Sequence, residues 1–307
     1  MIVRRVLRTK PSERQKACGK VVFILFLILF TLHLTAAALQ NLKLFIMTPT
    51  VITELVPELV KAFQDVKLIA LDIEGVDLGR LGKISLVQLA PSPEQCFLLD
   101  LLAKDDPLVQ WTRTLLEDRS VTKIIHDCRM DSDALKHLLN IELTNVHDTS
   151  CWHMQIKNEE DASLNTVLSA NGIKQNVIRD SRVYATNHAF WATRPLTARM
   201  IEWAAGDVTS MFSLYEKQKA AIPNLTLELE AKHLSTARCS LTPTAGTHIV
   251  VVKRVGAFIG HGGSTIRALQ KKTNTLIYPR GERSCNTFLV YYFNEASLAE
   301  VVKRARE

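Results

Sequence analysis

Between residues 66 and 148 the chain has three apolar, strand-like runs in succession, and it then alternates helix-like and strand-like segments. The runs are LIALDIEG, KISLVQLA and CFLLDL, and turn signals such as Gly79 and Gly82 separate the first two. DDPLVQWTRTLLED and DSDALKHLLN have helical spacing, whereas TKIIHDC and NVHDT are short apolar strands. This order predicts an α/β fold in which helices cover a mixed sheet.

The first strand-like run ends with two acidic residues, Asp72 and Glu74. Side chains two positions apart in a strand point to the same face, so the two carboxylates should be neighbours. At about 5 Å and an effective dielectric of about 20, they repel each other by roughly 3 kcal/mol. A positive group is therefore expected beside them.

Two further acids occupy the ends or the interior of helix-like segments. Asp131 follows the strand-like KIIHDC, and Asp207 lies inside the long helical segment TARMIEWAAGDVTSMFSLYEKQKAAI. An acid on the apolar face of a helix is costly unless it is paired or binds a metal. Trp203 precedes Asp207 by four residues, so both are predicted to lie on one helix face. For each acid alone, a capping or surface role remains an alternative.

Three motifs connect these acids to a known family. LDIEG, HDCRMDSDAL…VHDT and FWATRPLTARMIEWAAGDVTSMF resemble, in order and spacing, the exonuclease motifs of the DEDD superfamily, in particular ribonuclease D and its Egalitarian-like relatives. The resemblance implies a ribonuclease H-like fold and a 3′–5′ exonuclease that uses two Mg²⁺ or Mn²⁺ ions and releases nucleoside 5′-monophosphates. The positions that match the family's metal ligands are Asp72, Glu74, Asp131 and Asp207.

The family pattern is not complete in this chain. Its members usually have a Tyr four residues before the last Asp, or a His five residues before it, where this chain has Trp203 and Glu202. Trp203 is expected in the catalytic site, but an indole offers only an N–H donor and cannot act as a general base. A catalytically weak or inactive exonuclease fold that serves as an RNA-binding adaptor is therefore an alternative function.

The remaining polar residues of this region have simpler interpretations. Asp127 and Asp133 are predicted to be a helix-entry acid and a surface acid. The histidines lack the paired spacing of a zinc site and are predicted to be structural. Cys128 and Cys151 are predicted to be core thiols, and the absence of any CxxC pair among six cysteines indicates free thiols in a reducing compartment.

A glycine loop marks a second module near the C-terminus. The string IGHGGSTI resembles the IGxxGxxI signature of a type I KH domain, a small α+β fold of β-α-α-β-β-α order. Glycines at such a loop let a sugar-phosphate backbone approach main-chain N–H groups and a helix N-terminus. There is no Walker lysine, so no nucleotide cofactor is expected. The predicted nucleic-acid-binding residues are Gly260, His261, Gly262, Gly263, Arg254, Arg267, Lys271 and Lys272.

The charge distribution agrees with this organisation. Residues 51–245 have a net charge of −6, whereas residues 1–50 carry +7 and residues 246–307 carry +6. An acidic metal-binding module beside a basic module suits an enzyme that acts on single-stranded RNA or DNA, although chance asymmetry is an alternative. The predicted domains are residues 47–222 for the exonuclease, 223–246 for a linker and 247–307 for the KH module.

The basic N-terminus, residues 1–46, contains a segment without charged residues at positions 21–39. Nineteen such residues can just span a bilayer, so a membrane anchor, including an organellar one, is one interpretation. A signal peptide and a gene-model extension upstream of Met47 are the others. A genuine anchor would make the protein intracellular and membrane-anchored, whereas translation from Met47 would make it cytoplasmic or nuclear.

Overall fold

The structure is a computed structural model, and it describes residues 49–103, 105–160, 162–180, 182–183, 187–281 and 286–307. The basic N-terminus with its apolar segment 21–39 lies outside the described residues, as does Met47. Within the described ranges, no helix combines the length and the apolar character needed to cross a membrane.

Strands and helices are interspersed between residues 50 and 148, and the described residues from 149 to 244 contain helices but no strand. Their order is β1 (Thr50–Ile52), α1 (Pro57–Ala62), β2 (Leu68–Val76), β3 (Lys83–Ser92), β4 (Gln95–Asp100), α2 (Asp106–Glu117), β5 (Thr122–Ile125), α3 (Arg129–Leu139), β6 (Val146–Asp148), α4 (Thr149–Lys157), α5 (Leu164–Ala170), α6 (Ala198–Ala221) and α7 (Leu225–Thr244).

The C-terminal elements follow the β-α-α-β-β-α order that the glycine loop predicted. They are β7 (Gly246–Val251), α8 (Val255–Ile259), α9 (Ser264–Thr273), β8 (Leu276–Pro279), β9 (Thr287–Tyr292) and α10 (Glu295–Arg306).

In the described ranges, six strands form one mixed sheet with the order β1-β4-β3-β2-β5-β6. The first three predicted strands, β2, β3 and β4, pair in antiparallel fashion. The pairs β2–β5, β5–β6 and β1–β4 are parallel. This confirms the predicted α/β class and places β2 in the centre of the sheet.

Helices cover both faces of this sheet. Leu71 and Ile73 of β2 enter a core that contains Leu108 of α2 and Leu135 of α3. The opposite face of β2 packs against α6, the long helix that the sequence predicted. Because strand side chains alternate, Asp72 and Glu74 point to the α6 side.

Helix caps explain several of the element boundaries. The side chain of Asp105 accepts a hydrogen bond from the main-chain N–H of Leu108 and caps α2. Thr197 caps α6 by accepting a hydrogen bond from the main-chain N–H of Met200. Short polar residues at such positions satisfy N–H groups that the helix leaves unpaired.

The segment expected as a linker, residues 223–246, instead contains the 20-residue helix α7. This helix packs against α3, α4 and β6. Its buried residues are small or polar, namely Ala231, Ser235, Cys239 and Thr242. The Cys239 thiol, for example, donates a hydrogen bond to the carbonyl oxygen of Leu143, 96 positions earlier in the chain, at 3.1 Å. The two modules are therefore joined by a packed helix.

The KH module has a three-stranded antiparallel sheet with the order β7-β9-β8. Its core includes Val250, Phe258, Phe288 and Val301 from four different elements. Residues Thr48–Glu307 form one compact unit, so this module and the exonuclease module are described together.

Candidate active site and nucleic-acid interface

Asp72, Glu74 and Asp207 converge between the centre of the sheet and α6. One carboxylate oxygen from each lies within 4.8 Å of the others. Asp207 is fully buried and is held by two donors. Its Oδ1 accepts a hydrogen bond from Asn176 Nδ2 at 3.0 Å, and its Oδ2 accepts one from Arg179 Nη1 at 2.7 Å. The structure thus brings together three of the four predicted metal ligands.

Gly206 allows Asn176 to reach Asp207. A Cβ atom on Gly206 would lie 2.8 Å from Asn176 Nδ2, which is closer than side chains approach one another. Asn176 Nδ2 also donates to the carbonyl oxygen of Trp203 at 2.9 Å. A glycine inside a helix costs about 1 kcal/mol relative to alanine, and here it provides the space for this contact.

The fourth predicted ligand, Asp131, lies in the first turn of α3 and is 6% exposed. It lines the same cleft as Asp72 and Glu74, although it is not part of the tight group of three. Its Oδ1 atom is buried and has no hydrogen-bond partner among the residues the structure describes. A buried acceptor without a donor is costly, so this atom suits an additional ligand.

The pKa values of all four acids are raised. Burial, followed by repulsion from Asp207, raises the pKa of Asp72 to about 7. Burial and the neighbouring Asp72 raise the pKa values of both Glu74 and Asp131. Burial also raises the pKa of Asp207, although Arg179 opposes the effect. The site therefore disfavours four ionised carboxylates unless further positive charge is supplied.

These residues fit a hard divalent cation. Mg²⁺ and Mn²⁺ prefer carboxylate oxygens, and no histidine or cysteine of the described ranges joins the cluster. Asp72, Glu74 and Asp207 would hold such an ion, and the buried Oδ1 of Asp131 would supply a further ligand from the cleft wall.

Trp203 does not line this cleft. It is 1% exposed and packs against Trp191 and Phe190, with ring centroids 5.5 Å and 5.7 Å away. A hydrogen bond from its side chain helps to lower the pKa of Asp207, against the stronger effect of burial. Trp203, which the sequence predicts in the catalytic site, therefore lies in a buried aromatic cluster. Glu202, at the other family position, is exposed.

The expectation that Asp133 is a surface acid is wrong. Its side chain is fully buried, and its Oδ1 lies 2.8 Å from Arg80 Nη2. Its Oδ2 accepts a hydrogen bond from the Tyr291 hydroxyl at 2.8 Å. Tyr291 belongs to β9 of the KH module, so Asp133 joins the two modules. Asp127 does precede α3 and is partly exposed beside Arg129, as expected.

Histidine and cysteine side chains near the site have structural surroundings. His126 Nδ1 lies 2.8 Å from Thr149 Oγ1, and His147 Nε2 lies 3.0 Å from Gln218 Oε1. Cys128 and Cys151 are buried free thiols. The structure gives these residues packing and hydrogen-bonding roles.

The glycine loop of the KH module lies between α8 and α9. Gly260 has φ 76° and ψ 171°, and a Cβ atom there would lie 2.8 Å from the main-chain nitrogen of Thr265. Gly262 has φ 56° with open space around it, and Gly263 has φ 80°. These left-handed conformations favour glycine and leave the loop open to a ligand backbone.

Positive charge surrounds this loop. A Cβ atom on Gly263 would lie 2.7 Å from Arg267 Nη1, so this guanidinium borders the loop directly. Lys272 Nζ lies 2.7 Å from Glu300 Oε1, and this ion pair reduces the positive charge that Lys272 offers to a ligand. No described side chain caps the N-terminus of α9. The predicted residues that are exposed around the loop are Arg254, His261, Gly262, Arg267, Lys271 and Lys272.

Sequence reasoning missed Asn176 and Arg179, which follow α5 in an irregular segment. Neither belongs to an acidic motif, and no spacing rule places a loop residue against Asp207 some thirty positions away. The only available signal was the expectation of a positive group near Asp72 and Glu74, and Arg179 supplies one.

Comparisons with known proteins agree with both modules. A family model described as a 3′–5′ exonuclease matches residues 49–222, and one described as a KH domain matches residues 247–291. The piRNA biogenesis protein EXD1 of Mus musculus is 29% identical over 157 residues, which are 46% of this chain and 27% of that protein. The Egalitarian protein homolog of Caenorhabditis elegans is 30% identical over 102 residues, which are 32% and 18%. The chain spans less than a third of the length of either relative.

Solved structures share the exonuclease fold. Trypanosoma brucei RNase D has a TM-score of 0.55 and 24% identity, covering 66% of this chain and 74% of that one. Its complex with RNA U12 has a TM-score of 0.54 and 26% identity, with coverage of 67% and 74%. Brucella melitensis NrnC has a TM-score of 0.54 and 22% identity, with coverage of 64% and 91%. These similarities confirm the ribonuclease H-like architecture.

Proposed function

The chain belongs to the 3′–5′ exonuclease family and carries a C-terminal KH domain, and from this premise we propose that it is a metal-dependent 3′–5′ exonuclease acting on single-stranded nucleic acid. The observation that carries the proposal is the convergence of Asp72, Glu74 and Asp207 within 4.8 Å, with Asp131 on the same cleft. Without a cation, such a cluster would repel a phosphate backbone rather than bind it.

The chemistry follows from the ligand set. When bound, divalent cations supply Lewis-acid stabilisation of a phosphodiester and of its leaving oxygen. Asp72, Glu74 and Asp207 would hold the cations, and Asp131 would contribute from the first turn of α3. Arg179, whose side chain is 40% exposed, can also contact a phosphate through its guanidinium. The product of such a reaction at a 3′ end is a nucleoside 5′-monophosphate.

Single-stranded RNA is the substrate we favour over DNA. The glycine loop and its basic surroundings suit about four nucleotides of a single strand. The structural neighbour RNase D has been solved with RNA U12, and the neighbour NrnC with Mg²⁺. These neighbours support a nucleic-acid substrate and Mg²⁺ or Mn²⁺ as the cofactor.

A trimming assay tests the proposal directly. The full chain is incubated with RNA and DNA oligonucleotides that carry either a 5′ or a 3′ label, in Mg²⁺, Mn²⁺ or EDTA. We expect a ladder of shortened 5′-labelled products with either metal and none with EDTA. Trimming that persists in EDTA, or that shortens 3′-labelled strands from their 5′ end, would contradict it.

RNA binding without cleavage is the second candidate function. Two observations favour it: the buried Trp203 stands where the family usually has a tyrosine, and Arg179 neutralises Asp207. Correct positioning of an attacking water contributes about 10²–10⁴-fold, so its loss would leave slow turnover. Retained RNA binding with no trimming in either metal would identify this adaptor function.

A further inference from the structure

The cleft that contains the carboxylates has walls from both modules. It has a volume of about 680 Å³, and Asp72, Glu74 and Asp131 line one side. Gln270 of α9 and Tyr278 of β8 line it from the KH module. A cleft of this size accommodates one drug-sized ligand, which corresponds to about one or two nucleotides. The KH module therefore contributes to the cleft that holds the proposed chemistry.

A buried hydrogen-bond network holds the KH wall in place. Asp133, two residues after Asp131, accepts hydrogen bonds from Arg80 and from Tyr291 of β9. The Arg80 guanidinium also lies 5.3 Å from the centroid of the Tyr291 ring and donates to the carbonyl oxygen of Ala245 at 3.0 Å. Arg80 and Asp133 both belong to the exonuclease module, and Tyr291 covers this pair and supplies a further donor to the buried Asp133 carboxylate. Separating the modules would remove that hydrogen bond from a buried acceptor, which is costly, so the modules should stay together.

A second set of contacts fixes the edge of the KH sheet. The main-chain N–H of Gly281 donates to Asp77 Oδ1 at 3.0 Å. Arg280 Nη2 donates to the carbonyl oxygen of Leu81 at 2.9 Å. Both acceptors lie in the turn between β2 and β3, directly after the strand that carries Asp72 and Glu74. The end of β8 is thereby attached to the strand that carries the acids.

The distance from the glycine loop to the cleft is short. Gln270 lies six residues after Ser264, the first residue of α9, which corresponds to about 9 Å along the helix axis. That length equals about three stacked nucleotides at about 3.4 Å each. Arg267 and Lys271 are exposed on α9, four residues apart and thus on one face, beside this path.

We propose that the two modules form one binding channel, in which a single strand held at the glycine loop runs along α9 and presents its 3′ end to the carboxylates. Tyr278 stacks on one of the last bases, and its ring is supported by Tyr291 at a centroid distance of 6.0 Å. This inference rests on the proposed function for its direction of travel. It adds that the KH module is a fixed part of the substrate site.

Photo-crosslinking of the full chain tests the channel. A 12-nucleotide RNA carries 4-thiouridine either at its last or second-last position or about six positions upstream, with Ca²⁺ in place of Mg²⁺ to suppress trimming. We expect the labels near the 3′ end to crosslink to residues 270–279 and the upstream label to crosslink to residues 260–267. The channel is wrong if the labels near the 3′ end crosslink to the β2 strand and never to residues 270–279.

Substitution of Tyr278 gives an independent measurement. Tyr278→Ala should weaken binding of the same RNA about tenfold, because one base stack is lost, whereas Tyr278→Phe should retain wild-type affinity. Ile249→Ala, on the exposed opposite edge strand β7, is the control and should leave affinity unchanged. Equal affinities for Tyr278→Ala and wild type would overturn the role of Tyr278.

The two proposals fail in different ways. Crosslinks to residues 270–279 without any trimming by the wild-type protein would reject the exonuclease and keep the channel. Metal-dependent trimming with 3′-end crosslinks confined to the exonuclease module would keep the exonuclease and reject the channel.

Discussion

The carboxylate cleft and the glycine loop are both suited to a phosphate backbone, but they differ in charge: the cleft is acidic and the loop lies beside basic side chains. The cleft uses buried acids whose pKa values are raised, so it needs cations before it can accept a phosphate. The loop uses glycines in left-handed conformations beside Arg267 and needs no cofactor. Chemistry should therefore depend on the first region and affinity on the second, and the two should be separable by mutation.

The largest expected effect separates chemistry from affinity. Asp131→Asn removes a buried charged ligand while keeping the size of the side chain, so we expect at least a 10³-fold loss of trimming rate. RNA affinity should change less than twofold, because the glycine loop is intact. Single-turnover trimming and fluorescence anisotropy measure the two quantities.

The control for this variant is Asp127→Asn, which changes a partly exposed acid four residues earlier. It should leave trimming within about twofold of wild type. Wild-type trimming by Asp131→Asn would show that Asp131 is not a ligand.

The raised pKa of Asp72 predicts a dependence of stability on pH. Burial and Asp207 raise its pKa to about 7 in the folded protein, against an ordinary value of about 3.9 in the unfolded chain. The folded state thus holds a proton that the unfolded chain releases, and the stability from this group is lost as the pH rises from about 4 to about 7. At about 1.4 kcal/mol per pH unit, the loss is on the order of 4 kcal/mol.

Urea unfolding between pH 4 and pH 8 measures this effect. In EDTA, the free energy of unfolding should fall across that range. In 10 mM Mg²⁺ the fall should be smaller, because a bound cation stabilises the ionised carboxylate and the folded state. Asp72→Asn should reduce the fall in EDTA, and an unchanged slope in that variant would exclude Asp72 as its source.

The two regions also differ in how far the sequence predicted them. Asp72, Glu74 and Asp207 follow from motif order and strand alternation, and the loop glycines follow from their signature. The helix α7 was missed because its buried face is Ala231, Ser235, Cys239 and Thr242, which gives no apolar periodicity. Pro243, which lies inside the last turn of this helix, and Gly246 after it favoured a linker instead.

Hydrogen bonds between residues far apart in the chain also could not be predicted from the sequence. Asp133 meets Arg80 at a separation of 53 residues and Tyr291 at a separation of 158 residues. Nothing near Asp133 in the chain distinguishes it from an exposed helix acid. Local patterns encode elements and motif residues, whereas burial of a charged pair depends on which modules meet.

Negative charge introduced into the glycine loop should weaken RNA binding without affecting the trimming reaction. Gly262→Asp combined with Gly263→Asp places two negative charges where a phosphate is expected, so we predict a 10- to 100-fold loss of RNA affinity. Binding is measured at two salt concentrations, since the salt dependence should also weaken.

The matched control is Gly262→Asn with Gly263→Asn. Asparagine tolerates the left-handed backbone of both positions better than most residues and adds no charge. It should lose clearly less affinity than the aspartate pair. Equal losses in the two variants would assign the effect to backbone strain, and unchanged affinity in the aspartate pair would remove the loop from the binding site.

The smallest expected effect concerns Arg179, one of the positive side chains that line the acidic cleft. Arg179 lies 2.7 Å from Asp207 and lowers the pKa values of Asp72 and Glu74 against the effect of burial. Its charge therefore competes with a cation for the same oxygens. Arg179→Ala should increase Mn²⁺ affinity about tenfold, whereas Arg179→Lys, which keeps the charge, should stay near wild type. Titration of the full chain with Mn²⁺ by electron paramagnetic resonance measures the affinity directly.

Weaker Mn²⁺ binding in Arg179→Ala would mean that Arg179 organises the carboxylates instead of competing with the cation for them. The contrast between an acidic cleft and a basic loop would then be less sharp than the side chains suggest.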